Sequence, residues 1–229
     1  MGLLTKLFDN ASDTEFKLAQ DLVAIAIADG DISEDERSMI RRICMEEGIG
    51  DDMLNRYMEG HEGGDEPLPF ASNRDRVNYL KQLIRVMAVD GYSSHMEIYL
   101  LEIVAARLGL SYMEVLATVL TTATRANFPG DIGGRALNSF IHNVVDPKGK
   151  SLVNNRQNIG VLFDIMAESV PVSDDVEHDK EAFLLAMNHA TQMLVENTIL
   201  NDEFRMMGID FETVLMYERE EAIRRWVHR

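Results

Sequence analysis

Carboxylates recur at fixed spacing in two short stretches of the chain, and they are its side chains best suited to chemistry. The first acidic stretch, residues 28–36, reads Ala-Asp-Gly-Asp-Ile-Ser-Glu-Asp-Glu, and the second, residues 89–97, reads Val-Asp-Gly-Tyr-Ser-Ser-His-Met-Glu. Hard divalent cations such as Ca²⁺ and Mg²⁺ require several converging oxygen ligands. The pattern therefore predicts a composite metal site in which acids from both stretches meet. Its candidate ligands are Asp29, Asp31, Glu36, Asp90 and Glu97.

An EF-hand loop is excluded, because the first acidic stretch lacks two of the necessary ligands. If Asp29 and Glu36 take the fifth and twelfth positions of such a loop, Ile25 and Ile27 take the first and third. Isoleucine has no side-chain oxygen, so this loop cannot assemble the usual six to eight oxygen ligands.

Helix capping explains most of the same residues without a ligand. Residues 33–36 and 94–97 both read Ser-x-x-Glu, the capping box that begins a helix. The glycine before each box suits the position just after a helix end. Capping does not explain Asp29 and Asp90. The helix dipole disfavours a carboxylate at a helix C-terminus, so these two side chains need a compensating interaction. The next helix, an arginine or a cation should compensate for them.

A His-Asp pair offers a different chemistry. Residues 177–179 read Glu-His-Asp, and such a pair is found in helical metal-dependent phosphohydrolases. Those enzymes need further ligands, for which His142 and His189 are candidates. The pair begins an acidic helix, where a solvated face is the simpler interpretation. We expect no enzymatic activity and no catalytic residue, with the phosphohydrolase as a remote alternative.

The charge balance limits the classes of partner. The 39 acidic residues exceed the 22 basic ones, which gives a formal net charge of −17 at pH 7. Nucleic acids and anionic membrane surfaces are disfavoured, because both recruit lysine and arginine. Divalent cations and basic proteins remain compatible with this charge.

Cysteine content and hydropathy indicate the compartment. The single cysteine, Cys44, excludes an internal disulfide and a cysteine-based zinc site,. The longest apolar run, residues 22–28, is too short to span a membrane,. The N-terminal residues do not fit a signal peptide. We expect a cytoplasmic protein that does not insert into membranes.

The elements that must position these residues are helices, since apolar residues recur at helical spacing and no segment alternates as a strand does. The predicted helices cover residues 14–29, 33–48, 51–58, 74–90, 94–108, 112–124, 135–145, 154–169, 174–207 with a break near 198, and 211–228.

Four positions recur at an offset of 61 residues, which predicts an internal duplication. The pairs are Asp29 and Asp90, Ser33 and Ser94, Glu36 and Glu97, and Gly48 and Gly109. We therefore predict an all-α protein. A duplicated helical bundle covers residues 1–126, with pseudo-repeats at 14–60 and 74–124, and a helical C-terminal region covers residues 127–229.

The two acidic stretches, each between a helix that ends at glycine and an apolar-periodic helix, resemble the TerB-like (tellurite-resistance B) domains. The resemblance covers residues 14–124, and the opening Met-Gly-Leu-Leu-Thr-Lys-Leu-Phe of residues 1–8 is similar to starts in that family. The sequence departs from the pattern in two ways. Tyr92 stands where the first copy has Asp31, and nothing beyond Asn127 has a counterpart.

The resemblance implies an all-helical bundle of two pseudo-repeats in a cytoplasmic bacterial protein linked to tellurite resistance and stress response. It implies metal binding or the scaffolding of a membrane-associated complex, and no enzymatic activity. We expect a module that binds a divalent cation, Ca²⁺ or Mg²⁺, through its Asp-Gly turns. The alternative is an acidic scaffold that binds a protein partner without metal.

Overall fold

The computed structural model describes residues 11–28, 30, 32–50, 54, 70, 72–123, 128–144, 156–169 and 176–227. Every regular element in these ranges is a helix, which confirms the predicted all-α class. The ten described helices are α1 Ala11–Ala26, α2 Glu34–Glu47, α3 Asn73–Met87, α4 His95–Arg107, α5 Tyr112–Thr122, α6 Ile132–Val144, α7 Arg156–Ser169, α8 Val176–Val195, α9 Thr198–Met206 and α10 Phe211–Val227.

Most helix boundaries agree with the prediction, and the break near residue 198 has a clear cause. Asn197 caps α9, since its side-chain oxygen accepts the Leu200 N–H at 3.0 Å. The same side chain is fully buried and donates to Asn138 of α6 at 2.7 Å. A buried asparagine held on both sides therefore separates α8 from α9. The predicted helix at 51–58 lies outside the described residues except at Leu54.

The start of α6 differs from the prediction. The helix begins at Ile132, three residues earlier than predicted. Gly133 and Gly134 have low helix propensity, and the prediction therefore assigned them to a loop. Gly133 is buried, and a Cβ there would lie 2.6 Å from the Ala123 carbonyl oxygen. Close packing against the end of α5 thus outweighs propensity.

The described helices share one apolar core. The helix α1 packs against α2, α3 and α4, while α5 packs against both α3 and α7. The helix α7 in turn packs against α8 and α10. Buried apolar side chains form one cluster from Leu18 of α1 to Ala222 of α10. The predicted boundary at 126/127 falls outside the described residues and stays a prediction.

A buried polar triad, which consists of Asp21, Tyr79 and Arg107, joins α1, α3 and α4. The Tyr79 hydroxyl donates to Asp21 Oδ2 at 2.8 Å, and Arg107 Nη1 donates to Asp21 Oδ1 at 3.1 Å. Asp21 is only 5% exposed. Burial raises the pKa of its carboxyl group and outweighs the opposite effects of Tyr79 and Arg107. The triad thus holds three helices together at an electrostatic cost.

Among the described helices, none alone is long and apolar enough to cross a membrane. The pair α4 and α5 reaches that apolar length only together, and it is bent by 118°.

Candidate functional site

The first acidic stretch leads into a complete capping box. Ser33 Oγ accepts the Glu36 N–H at 3.2 Å, and Glu36 Oε2 accepts the Ser33 N–H at 2.7 Å. This confirms the predicted capping role. Glu36 is only 7% exposed. The other two candidate ligands of this stretch, Asp29 and Asp31, lie outside the described residues.

The second acidic stretch has the same cap. Ser94 Oγ accepts the Glu97 N–H at 3.2 Å, and Glu97 Oε2 accepts the Ser94 N–H at 2.6 Å. Asp90 is exposed, and its Oδ1 accepts the Tyr92 N–H at 2.8 Å. The hydrogen bond from the Tyr92 N–H therefore offsets part of the unfavourable interaction between the Asp90 carboxylate and the helix dipole.

The helix α6 covers the second acidic stretch. The Ser93 N–H donates to Ser139 Oγ at 2.6 Å, and Asn143 Nδ2 donates to the Ser93 carbonyl at 2.6 Å. A Cβ on Gly91, whose φ is +83°, would lie 3.1 Å from the guanidinium of Arg135. A positive charge therefore already lies beside this turn, where a bound cation would be repelled. In the described part of the chain, Gly30 has no atom within 4 Å of such a Cβ.

A third capping box, which the sequence reasoning missed, limits what the first two mean. Ser111 Oγ accepts the Glu114 N–H at 3.3 Å, and Glu114 Oε2 accepts the Ser111 N–H at 2.6 Å. Its signal was present in the sequence as Ser-x-x-Glu before an apolar run. No Asp-Gly pair precedes it, so the box begins helices independently of the acidic stretches. The recurrence of the box is therefore not evidence for duplication.

We expect Ser94→Ala to lower the free energy of unfolding by about 0.5–2 kcal/mol, because the variant loses the oxygen that accepts the Glu97 N–H. Urea unfolding measured by circular dichroism would detect this. Ser38→Ala, on the exposed face of α2, is the control and should change stability by less than about 0.5 kcal/mol. Equal effects of the two substitutions would contradict the capping role.

The described candidate ligands each make a hydrogen bond within their own acidic stretch. Glu36 and Glu97 hold their own caps, and Asp90 holds the Tyr92 backbone. Within the described residues, no group of three or more His, Cys, Asp or Glu side chains could hold a metal ion. A site that depends on Asp29 and Asp31 stays a prediction.

Two of the histidines considered together as metal ligands, His178 and His189, lie far apart. His178 is exposed and Asp179 is 6% exposed at the start of α8. His189 lies eleven residues further along the same helix, about 16 Å along its axis. His142 is exposed on α6. Because metal–nitrogen bonds are about 2 Å long, His178 and His189 cannot bind one ion.

A cleft of about 90 Å³, which we call the α6–α8 cleft, lies between the start of α6 and the end of α8. Its lining includes Asp131, Gly134, His189, Gln192 and Glu196. Nε2 of His189 is buried and has no hydrogen-bond partner among the described residues. The sequence reasoning considered His189 only as a metal ligand. No local signal indicates this cleft, because more than 50 residues separate its two sides.

The family model of Tellurite resistance protein TerB matches residues 3–58. The match covers α1, α2 and the first acidic stretch, and it confirms the resemblance predicted for that part. It ends before the second acidic stretch, so the second pseudo-repeat and the duplication stay predictions. No curated protein and no solved structure matches the chain.

Proposed function

We propose that this protein, whose residues 3–58 match the TerB family, is a non-enzymatic module that binds a basic protein partner through its acidic surface. The observation that carries the proposal is the local use of the candidate ligands. Glu36 and Glu97 accept the N–H of their own caps, and Asp90 accepts that of Tyr92. The described candidate ligands of both stretches therefore have hydrogen-bond donors without a bound ion. The net charge of −17 can attract a basic partner.

The C-terminal helices support this proposal. The exposed arginines described there form ion pairs with carboxylates of the protein itself, so they do not neutralise the other acidic side chains. Ion pairs join Arg205 to Asp202 at 2.7 Å, Arg224 to Glu221 at 2.6 Å and Arg225 to Asp164 at 2.7 Å. Further carboxylates on α8, α10 and the turn before α10 are exposed: Glu177, Glu181, Asp210 and Glu212. Such a surplus attracts basic partners and accelerates their association.

The cellular setting belongs to the same proposal. The name of the matched family supports a role in tellurite resistance, and we propose stress response as the wider setting. We place the protein in the cytoplasm, with a partner that belongs to a membrane-associated complex. Nucleic acid is not a partner in this proposal, since phosphates would meet an excess of carboxylates.

Affinity capture with the purified chain, followed by reconstitution with the purified partner, tests the proposal. We expect a basic partner whose affinity falls steeply with salt. The double variant Glu181→Gln/Glu212→Gln should bind more weakly. Asp202→Asn/Arg205→Gln removes one acid and one base together and serves as the control at constant net charge. Failure to recover a partner, or binding that neither salt nor the first variant weakens, would refute the proposal.

We expect millimolar Ca²⁺, Mg²⁺ or Mn²⁺ to leave the thermal unfolding midpoint of the protein unchanged. A ligand that binds only the folded state must raise that midpoint. A rise that Asp29→Asn abolishes would instead favour the cation-binding module. Asp90→Asn is the control variant, because Asp90 lies in the turn beside Arg135. If only the first acidic stretch binds an ion, Asp90→Asn should leave the rise of the midpoint unchanged.

A further inference from the structure

We propose that the α9–α10 corner, residues 206–209, anchors an amphipathic basic helix of a protein partner. The apolar face of that helix covers the corner, and its lysines or arginines face the carboxylates around it. This inference rests on the proposed function, since it names the place and the chemistry by which a basic partner is held.

The corner exposes three apolar side chains within four residues. The exposed fractions are 87% for Met206, 48% for Met207 and 40% for Ile209. A Cβ on Gly208 would have no atom within 4 Å, so no described residue lies over the glycine. Single apolar residues are ordinary on a protein surface, but a contiguous group of them marks an interaction site.

Two other turns of the same type in the described ranges show what is missing at this corner. In all three, a glycine with φ of +83°, +68° or +72° ends a helix. The N–H after the glycine then donates to a carbonyl five residues back: Ile49 to Cys44 at 2.8 Å, Leu110 to Ala105 at 2.9 Å and Ile209 to Phe204 at 2.9 Å. An apolar residue at this position is normally packed. Ile49 is 5% exposed and Leu110 is 8% exposed, so the fold covers the first two turns and leaves the third open.

Met206 also differs from its equivalents in the other two turns. The residue two positions before the glycine is Glu46 in the first turn and Arg107 in the second. Both of these side chains form ion pairs within the chain. Met206 instead leaves apolar surface in water, and a partner that covers this surface gains free energy. Methionine is flexible, so it adapts to the apolar face of a bound helix.

A buried aromatic pair holds the corner in place. Phe204 and Phe211 lie on either side of the corner in sequence, and both are buried. Their rings are stacked with centroids 4.5 Å apart. The backbone of the corner is therefore fixed before a partner arrives, which lowers the entropy cost of binding.

The charges around the corner select a basic partner. Residues 202–212 contain four carboxylates and one arginine. That arginine, Arg205, pairs with Asp202 at 2.7 Å, while Asp210 and Glu212 are exposed. Lysines or arginines beside the apolar face of a helix complement this arrangement.

The same charges disfavour two other occupants. A second copy of the chain, related by a two-fold axis, would place these carboxylates against their own equivalents. An anionic membrane surface would repel them in the same way. A basic amphipathic helix is therefore the occupant that suits both the apolar and the charged parts of the corner.

Fluorescence anisotropy with a defined peptide tests the proposal on the full chain. The probe is a labelled peptide of about 14 residues, four helical turns, with leucines on one face and lysines on the other. A peptide of the same composition in scrambled order has no apolar face and is the control. We expect saturable binding of the amphipathic peptide and at least about tenfold weaker binding of the scrambled one. Equal binding of the two peptides, or no binding of the amphipathic peptide, would overturn the proposal.

Substitutions locate the anchor. Met206→Gln/Met207→Gln keeps the length of both side chains but removes their apolar character, and it should weaken binding of the amphipathic peptide about tenfold. Met45→Gln is the matched control, because Met45 is 78% exposed on α2, a helix that packs against α1 and α3. Met45→Gln should leave the affinity unchanged. Equal weakening by the two variants would refute the site.

The outcomes separate this proposal from the proposed function. If Glu181→Gln/Glu212→Gln weakened binding of the peptide and Met206→Gln/Met207→Gln did not, the acidic surface would bind basic partners without this corner, and only the anchor would be refuted. Self-association in sedimentation experiments, or binding to anionic vesicles, that the methionine variant abolishes would refute the basic helix as the occupant.

Discussion

Arg107→Gln should lower the free energy of unfolding by about 3–5 kcal/mol at neutral pH, the largest effect that we expect from one substitution. Arg107 donates to Asp21 at 3.1 Å, and the side chains are only 12% and 6% exposed. Without the guanidinium, the Asp21 carboxylate keeps the hydrogen bond from the Tyr79 hydroxyl and only the weaker attraction of Lys17. A buried charge without its counter-charge is among the costliest states in a protein.

The cost should depend on pH in a predictable direction. Burial raises the folded-state pKa of Asp21 above its ordinary value, and loss of Arg107 should raise it further. Between the unfolded and folded pKa values, the folded state binds more protons, so stability falls as pH rises. The penalty is fully present above the folded pKa and is relieved as pH falls towards the unfolded value of about 3.9. Urea unfolding at several pH values would measure it.

Three variants control this prediction. Tyr79→Phe keeps the ring, whose centroid lies 5.2 Å from that of Phe70, and should cost only about 1.5–3 kcal/mol. Asp21→Asn combined with Arg107→Gln should recover part of the stability. Arg225→Gln breaks an exposed pair with Asp164 and should cost less than about 1 kcal/mol. Two results would contradict the stabilising role of the triad. In one, Arg107→Gln lowers the free energy of unfolding by no more than Arg225→Gln. In the other, the loss caused by Arg107→Gln is the same at every pH.

Gly133→Ala should destabilise the protein by about 1–3 kcal/mol, although alanine normally stabilises a helix relative to glycine. A Cβ at this position would lie 2.6 Å from the carbonyl oxygen of Ala123 and 2.8 Å from its carbonyl carbon. Backbone atoms at the end of α5 cannot move away as a side chain can. The contact between α5 and α6 must therefore open. The thermal midpoint and urea unfolding of the variant would measure the effect.

Gly160→Ala in α7 is the matched control. Its new Cβ would lie 2.8 Å from Oε2 of Glu218, which is the end of a flexible side chain. Glu218 can rotate, so the usual gain from alanine, about 0.5–1 kcal/mol, should largely remain. Opposite signs for the two substitutions are the expected result. Destabilisation of the same size at both positions would show that a helical glycine, rather than backbone contact, is responsible.

Features within one turn of the chain could be predicted from the sequence alone. Ser33 and Glu36 are three residues apart, so the geometry of a helix start brings them together in any fold that contains this helix,. The same is true of Gly48, which ends α2 at a φ of +83°. Apolar spacing likewise determined that the chain is helical, and the first acidic stretch was sufficient for the resemblance that the match over residues 3–58 confirms.

Contacts between distant segments were decided only by the tertiary structure. Asp21 meets Tyr79 and Arg107 across 58 and 86 residues of sequence. The guanidinium of Arg135 lies beside Gly91, and this distinguishes the second acidic stretch from the first, although both have Asp-Gly, Ser and Glu at the same spacing. Helical periodicity states which face of a helix is buried, but it does not state which helix covers that face. The sequence pattern was therefore enough to indicate the acids of the two stretches as candidate ligands. Only the packing of α6 determined which turn lies beside an arginine and where the α6–α8 cleft forms.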